Sequence, residues 1–497
     1  MKAAFLRSLL VLGILANVAF LLINLRPDRP HLGLRRKGKV LLRADPPRAK
    51  WVKEHELDEF AAAHDLDLDV VTAQTFEDVL SVLQAEQAKP SGLMLAAIDD
   101  EIAEELRAGG ALRPVQDVIE PDQLATALSE YLPLAVEQSR GKDGKVWFFP
   151  KRAEVTIAVF VRVAIEDCYL NWEADRAAIN AALREANGVG LPNGYALEKT
   201  PELWDMYDLF VAAFYWAHHP APWADPRHPG SEVTAPAPRV AFRTGANEDA
   251  VTDLVTSFYR HGLGDADVGR LDAPAVLDAL QWQALFLKHH LLAKACEDPK
   301  GIDSDGVNAL FKEGRLAWAP INQEDSLWLH GGARRDAEPG APFARELDWG
   351  TLPAGVSLEL KGGEPVRPGR SFSFESVHLW ALPVHSPHPR LAVQLARFLT
   401  QRGLQQRETE AQGLLPIRED LRDEYPILFR LDWMQRILDA SYHQLERGTG
   451  VVPASLAAQG YDDAYEKLYA ALFFSGKPPG VTLEAVRAAA KEAARAP

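Results

Sequence analysis

From residue 39 to residue 110, short apolar runs alternate with amphipathic helical stretches, and this alternation limits the fold more than any other feature of the chain. Lys39–Ala44 reads as a strand that stops at Asp45-Pro46-Pro47. Lys50–His64 follows, with Trp51, Leu57, Phe60 and Ala61 at helical spacing. Leu68–Val71 is the next strand. Thr75–Gln87 is the next helix, with Phe76, Val79, Leu80 and Leu83 on one face. Leu93–Ala97 is an apolar strand, and Asp99–Ala108 a helix closed by Gly109-Gly110. Repeated strand–helix order predicts an α/β fold built on a largely parallel sheet with both faces covered.

A chain of 497 residues exceeds one hydrophobic core and suits two or three lobes. Beyond residue 110 the pattern loosens. Gly144–Val163 reads as two strands broken at Pro150, and residues 200–217 as a Trp-rich amphipathic helix. Residues 218–240 hold six prolines and read as loop. Pro274–Leu292 and Ser304–Glu313 are helical, Arg315–Ile321 a strand, and 331–370 mostly irregular. His378–Val384 is a strand, Pro389–Glu410 one long helix, and the remainder mostly helical.

Ser8–Leu25 is 18 residues without a charge, near the lower limit for a membrane-spanning helix. No small-x-small cleavage site and no lipid-attachment cysteine follows it. Residues 1–27 are therefore expected to form an export signal retained as an anchor, with 28–37 as linker. The net charge of −16 repels phosphate backbones, which argues against a nucleic-acid partner.

Several chemistries lack their motif. The chain has no GxSxG, HExxH or GxxxxGK[ST], and no cofactor is implied. Asp303-Ser304-Asp305-Gly306 faintly matches a calcium loop, but Gly314 stands where that loop needs glutamate; a helix cap is the expectation. Cys168 and Cys296 allow one bridge or two separate buried thiols, and they form no zinc pattern.

Four segments in order resemble the family 1 extracellular solute-binding proteins, the group that includes the maltose-binding protein. The first is Leu93–Val115, ending Gly109-Gly110-Ala111-Leu112-Arg113-Pro114-Val115. The second is Gly144-Lys145-Val146-Trp147-Phe148-Phe149-Pro150, followed by Glu154 and the strand Thr156–Val161. The third is Ala309–Trp318, similar to the family's "F-x-x-G-x-A-A-M". The fourth runs from Pro387-His388-Pro389 through Phe398-Leu399 to Gly413-Leu414-Leu415-Pro416-Ile417. The chain departs from the family at Ile321–Asp325, where no stacking tryptophan follows, and at Val161-Arg162, where the family has "Y-N".

The resemblance implies a two-lobed fold of the periplasmic-binding type with a ligand cleft between the lobes. It implies lobe 1 from 38–150 plus 371–424 and lobe 2 from 151–370 plus 425–497. It also implies an extracytoplasmic location, a small solute such as a sugar, an ABC-type permease as partner, and a monomer that is not an enzyme. In open α/β sheets ligands sit beyond the carboxyl ends of strands, so loop residues there are the candidates. These are Asp45, Asp99, Trp147, Glu154, Trp318, Asn322, Gln323, Asp325 and Arg370. Carboxylates and amides suit sugar hydroxyls, and an arginine suits a polar or anionic group. Against this, Asp99 could cap its helix, Glu154 could be a plain ion-pair partner, and most of the tryptophans could be core. The rival readings are a membrane-tethered carbohydrate hydrolase, which needs only two carboxylates, and an anchored binding or sensor protein with no transporter.

Overall fold

The computed structural model describes residues 36–225, 230–245, 248–264, 267, 269–298, 300–330, 344–451, 468–474 and 480–493. The expected anchor at 8–25 lies outside the described residues. Among those described, no helix is long and apolar enough to cross a membrane.

Three strands open the chain in parallel: β1 (Arg36–Arg43), β2 (Leu66–Ala73) and β3 (Leu93–Asp99), with β1 between the other two. Helices Phe76–Ala88 and Asp100–Ala108 follow the second and third strands. Thr75 and Asp78 form a reciprocal capping box that starts the first of these helices. The stretch read as one helix, Lys50–His64, begins earlier, at Pro46, and passes through a π-turn at Lys53–Leu57.

Beyond the short β4 (Leu112–Arg113) comes β5 (Phe148–Val161), 14 residues long. Next are β6 (Trp318–Asn322), β7 (Leu347–Gly350) and a two-stranded hairpin, β8 (Leu360–Lys361) with β9 (Glu364–Pro365). Then come β10 (Ser373–Pro383) and β11 (Thr449–Val451). The main sheet runs β2-β1-β3-β10-β5-β6. β10 is antiparallel to both β3 and β5, and β6 and β7 are antiparallel to β5. The sheet is therefore mixed, not largely parallel: the N-terminal strand–helix units run parallel, as does the short β11 beside β10.

β5 is continuous through Pro150, which corrects the expected break there. A proline has no N–H to give the ladder and is tolerated at a bulge. The register shifts at this place: His378 pairs with Arg152 and Leu379 with Pro150, leaving Lys151 as the extra residue. The change of partners comes later. Residues Phe148–Val155 pair with β10, whereas Thr156–Val161 pair with β6 and β7. One strand thus belongs to two halves of the molecule, and Glu154 stands beside the handover.

Tryptophans build the second half's interior. Helices Met206–His218 and Pro274–Lys288 are buried on nearly all faces, so the first is not the amphipathic helix expected for 200–217. Tyr207 meets Trp282 edge-on at 5.0 Å, and Phe210 meets Phe286 at 5.6 Å. The indole N–H groups are satisfied internally: Trp282 donates to Val356 O at 2.7 Å and Trp216 to Ala164 O at 3.1 Å. The stretch read as one helix, Pro389–Glu410, is two, Pro389–Leu399 and Arg402–Gln412. Cys168 and Cys296 are both buried free thiols, and burial pushes the Cys296 thiol up to about 12.

Two histidines are expected to weaken the fold in acid. His261 is held by Ser257 O at 2.7 Å, and burial pushes its pKa down to about 3; His330 is pushed down to about 4. A depressed folded-state pKa means the unfolded chain binds the proton first. Stability is then full above the unfolded value of about 6.5 and is lost as pH falls toward the folded values. His261→Asn, which keeps a donor for Ser257 O, is expected to lose about 3 kcal/mol less than the parent between pH 6.5 and 4. Urea titrations at the two pH values measure this, and equal losses would contradict it.

Candidate functional site

The carboxyl ends of β1, β2 and β3 lie at one edge and supply one wall of an open cavity of about 210 Å³. Arg43 is the last residue of β1, Phe76 comes three residues after β2, and Glu101 two after β3. The Arg43 guanidinium lies 4.6 Å from the centre of the Phe76 ring. The facing wall comes from the second half: Asn322 ends β6, and Asp249 and Thr252 sit on the helix Glu248–Arg260. Arg243 lies just beyond residues 239–241, which bond alongside β6 through Arg239 O, Val240 and Ala241 N. Glu154, Val155 and Thr156 of β5, with Phe374 and Ser376 of β10, form the floor where the halves join.

Each wall is fixed by an arginine fork, buried at Arg243 and half-buried at Arg43. Arg243 binds Asp253 through Nε at 3.0 Å and also through a terminal nitrogen. Its other contacts are Asn322 Oδ1 and Ser304 Oγ, both at 3.2 Å, and Thr156 Oγ1 at 3.4 Å. Burial would lower the Arg243 pKa, but the charges of Asp253, Asp249 and Asp325 raise it above the ordinary value. Arg43 binds both oxygens of Asp99, at 2.8 and 3.0 Å. Asp99 Oδ1 also lies 2.6 Å from His378 Nδ1. Burial would raise the Asp99 pKa, but His378 and Arg43 hold it far below the carboxylate range. Glu154 Oε2 lies 3.0 Å from His378 Nε2. Burial and the Glu324 carboxylate push Glu154 up, and His378 and Arg152 more than offset them, so it too sits below its ordinary value.

The residues expected from the sequence divide accordingly. Glu154 and Asn322 line the cavity. Asp45 is exposed and caps its helix by accepting from Arg48 N at 2.9 Å. Asp99 is 1% exposed and faces the sheet interior; it neither lines the cavity nor caps its helix by its side chain. Trp147 bonds Asp143 Oδ1 at 3.0 Å beside Arg107, off the cavity. Trp318 is 1% exposed and meets Phe242 edge-on at 5.8 Å, a core residue. Gln323 is buried, and its Oε1 accepts from Val155 N at 2.7 Å, pinning the handover point of β5. Asp325 opens a short helix and adds to the field on Arg243 without lining the cavity. Arg370 is exposed over the Phe372 ring at 4.8 Å. Asp303 caps its helix by accepting from Gly306 N at 2.9 Å, as expected of that motif. All twelve tryptophans are among the described residues, and none lines the cavity; its aromatic faces are Phe76 and Phe374.

The sequence of the chain matches the bacterial extracellular solute-binding protein family over residues 57–428, well over half its length. Among solved structures it is similar to maltose-bound MalE3 of T. maritima, with 15% identity, a TM-score of 0.63, and coverage of 92% of this chain and 98% of that one. It is similar also to the GacH receptor of Streptomyces glaucescens GLA.O, solved unliganded and with acarbose (14%, TM-score 0.61, 93% and 98% covered). A third is an ABC transporter solute-binding protein of Agrobacterium radiobacter K84 in complex with ribitol (14%, TM-score 0.59, 93% and 98%). No curated protein matches the chain. Identities this low carry the fold alone, and all three are covered almost end to end. By its sequence over most of its length, and by a two-lobed α/β fold with a polar cavity at the join, this chain belongs to the bacterial extracellular solute-binding proteins.

Proposed function

We propose that the protein captures a small polyhydroxylated solute, a carbohydrate or polyol, in the cavity between its lobes and delivers it to an ABC-type permease. The observation that carries this reading is the convergence of Arg43, Glu101 and Glu154 with Asn322, Asp249 and Arg243 across one polar opening. Groups from two lobes facing one space can bury a solute by closing on it. Carboxylates and amides accept from hydroxyls, and Phe76 and Phe374 offer apolar faces for ring carbons. The similar solved structures bound to maltose, acarbose, α-D-tagatose and ribitol support this solute class.

The same reading puts lobe 1 at 38–150 plus 371–424 and lobe 2 at 151–370 plus 425–497; the change of strand partners supports setting the crossing within β5 further on, at Val155–Thr156. It holds that the exported protein works as a monomer and is a receptor with no turnover. A thermal-shift screen over maltose, maltotetraose, α-D-tagatose, ribitol and short peptides tests the proposal. A sugar or polyol at a hundred times its Kd should stabilise the protein by about 2.7 kcal/mol and be recovered unchanged. Stabilisation by peptides alone, or consumption of the sugar, would overturn it.

A further inference from the structure

The floor of the cavity carries a histidine that neither the sequence nor the cavity lining brings forward. His378 lies mid-strand in β10 and is 4% exposed. Its Nδ1 is 2.6 Å from Asp99 Oδ1 and its Nε2 is 3.0 Å from Glu154 Oε2. Arg152 of β5 also faces the ring, with its NH2 nitrogen 3.3 Å from Nε2. Arg152 has carboxylates of its own, Glu324 Oε2 at 3.5 Å and Glu154 Oε2 at 4.0 Å. Asp100, next to Asp99, accepts from Val377 N at 3.2 Å and from Ser376 Oγ at 3.3 Å, both on β10.

These contacts form one continuous run of polar side chains: Arg43, Asp99, His378, Glu154, Arg152, Glu324. Its first member stacks on Phe76 at the rim of lobe 1, and its last comes from the loop after β6 in lobe 2. His378 is the member between the two carboxylates, and without its ring they would face each other across a gap. A buried carboxylate left without a partner rotates, takes a proton or draws in water.

We propose that His378 is the positioning residue of the solute cleft: through its two ring nitrogens it aims the Glu154 carboxylate at the cavity floor and, through Asp99, fixes the Arg43 guanidinium on the rim. His378 does not line the cavity, so it acts on the solute through Glu154 and Arg43. The proposal rests on the cleft reading given above. It adds that the aim of two lining groups depends on one side chain in the strand joining the lobes.

Nitrogen-15 NMR of the ligand-free protein labelled at histidine, with His378 assigned by through-bond correlation, tests this without a solute. Glu154→Gln should move the Nε2 resonance of His378 far more than Arg152→Lys does. Calorimetric titration of maltose into the folded protein is the second arm. His378→Gln should bind about tenfold or more weakly, with Phe76 and the Trp318 core unaffected in fluorescence and near-UV circular dichroism. An Nε2 signal that ignores Glu154→Gln but follows Arg152→Lys overturns the proposal, because Nε2 is then an acceptor from Arg152. Unchanged maltose affinity in His378→Gln overturns it as well. A parent protein that binds no maltose counts against maltose as the solute and not against the sugar-or-polyol reading, and the NMR arm then decides His378 alone.

Discussion

Arg243→Met is expected to lower folding stability by about 3–5 kcal/mol, the cost of breaking a buried ion pair from one side. The substitution keeps most of the side-chain volume but strands the Asp253 carboxylate, which is about one-tenth exposed. It also removes the donors that hold Asn322 and Thr156 at the cavity wall. Urea unfolding measures the first effect. Adding Asp253→Asn should restore a large part of the loss, since the stranded charge causes most of it. The double variant should still bind solute poorly, because the cavity loses the Arg243 guanidinium and Asn322 loses its Arg243 donor. A loss under 1 kcal/mol for Arg243→Met would show that the fork is not structurally important.

Trp318→Ala and Glu154→Gln should fail in opposite ways. Trp318 is sealed in β6 against Phe242, so truncation empties core volume and should cost about 3–5 kcal/mol. Affinity per folded molecule should stay the same, because the indole does not line the cavity. Glu154→Gln keeps an acceptor for His378 but loses the charge that faces the solute, and should weaken binding by about ten- to a hundredfold. Melting temperature and affinity measured on both variants separate core from cleft. Weakened binding in folded Trp318→Ala would contradict the placement.

The topological rule was legible in the sequence, but the choice of side chain was not. The alternation from 39 to 110 located β1, β2 and β3 within a few residues, and the site does lie beyond their carboxyl ends. Asp45 and Asp99 come from those ends, yet the residues reaching the cavity are Arg43, Phe76 and Glu101, two or three positions away. Which side chain turns inward depends on strand twist and on the first helical turn, and spacing does not report either. Asp45 went to its own helix, as a carboxylate before Pro-Pro can, and Asp99 to a histidine 279 residues later in β10.

Of the second wall only Asn322 was legible in the sequence; Arg243, Asp249 and Thr252 were not. Arg243 follows a proline-rich stretch without periodicity, and its role depends on Asp253 in the next helix and Asn322 in β6. Pro150 misled for the reverse reason. Proline commonly ends strands, but the bulge at Lys151 absorbs its missing donor and lets β5 run on. Burial pushes the Lys151 ammonium down to about 7, with the Arg152 charge adding to it. Glu154 was found because the "G-K-aromatic-x-x-P" phrase fixes its distance from the proline, which is information from the family resemblance and not from hydrophobic pattern.

The most direct test is a crystal structure of the protein grown with the sugar or polyol that raises its melting temperature most. The account predicts solute density between Arg43, Glu154 and Asn322, with hydroxyls within hydrogen-bonding distance of at least two of them and the two lobes closed upon it. Density seated elsewhere, with the space between these three residues filled only by water, would contradict it.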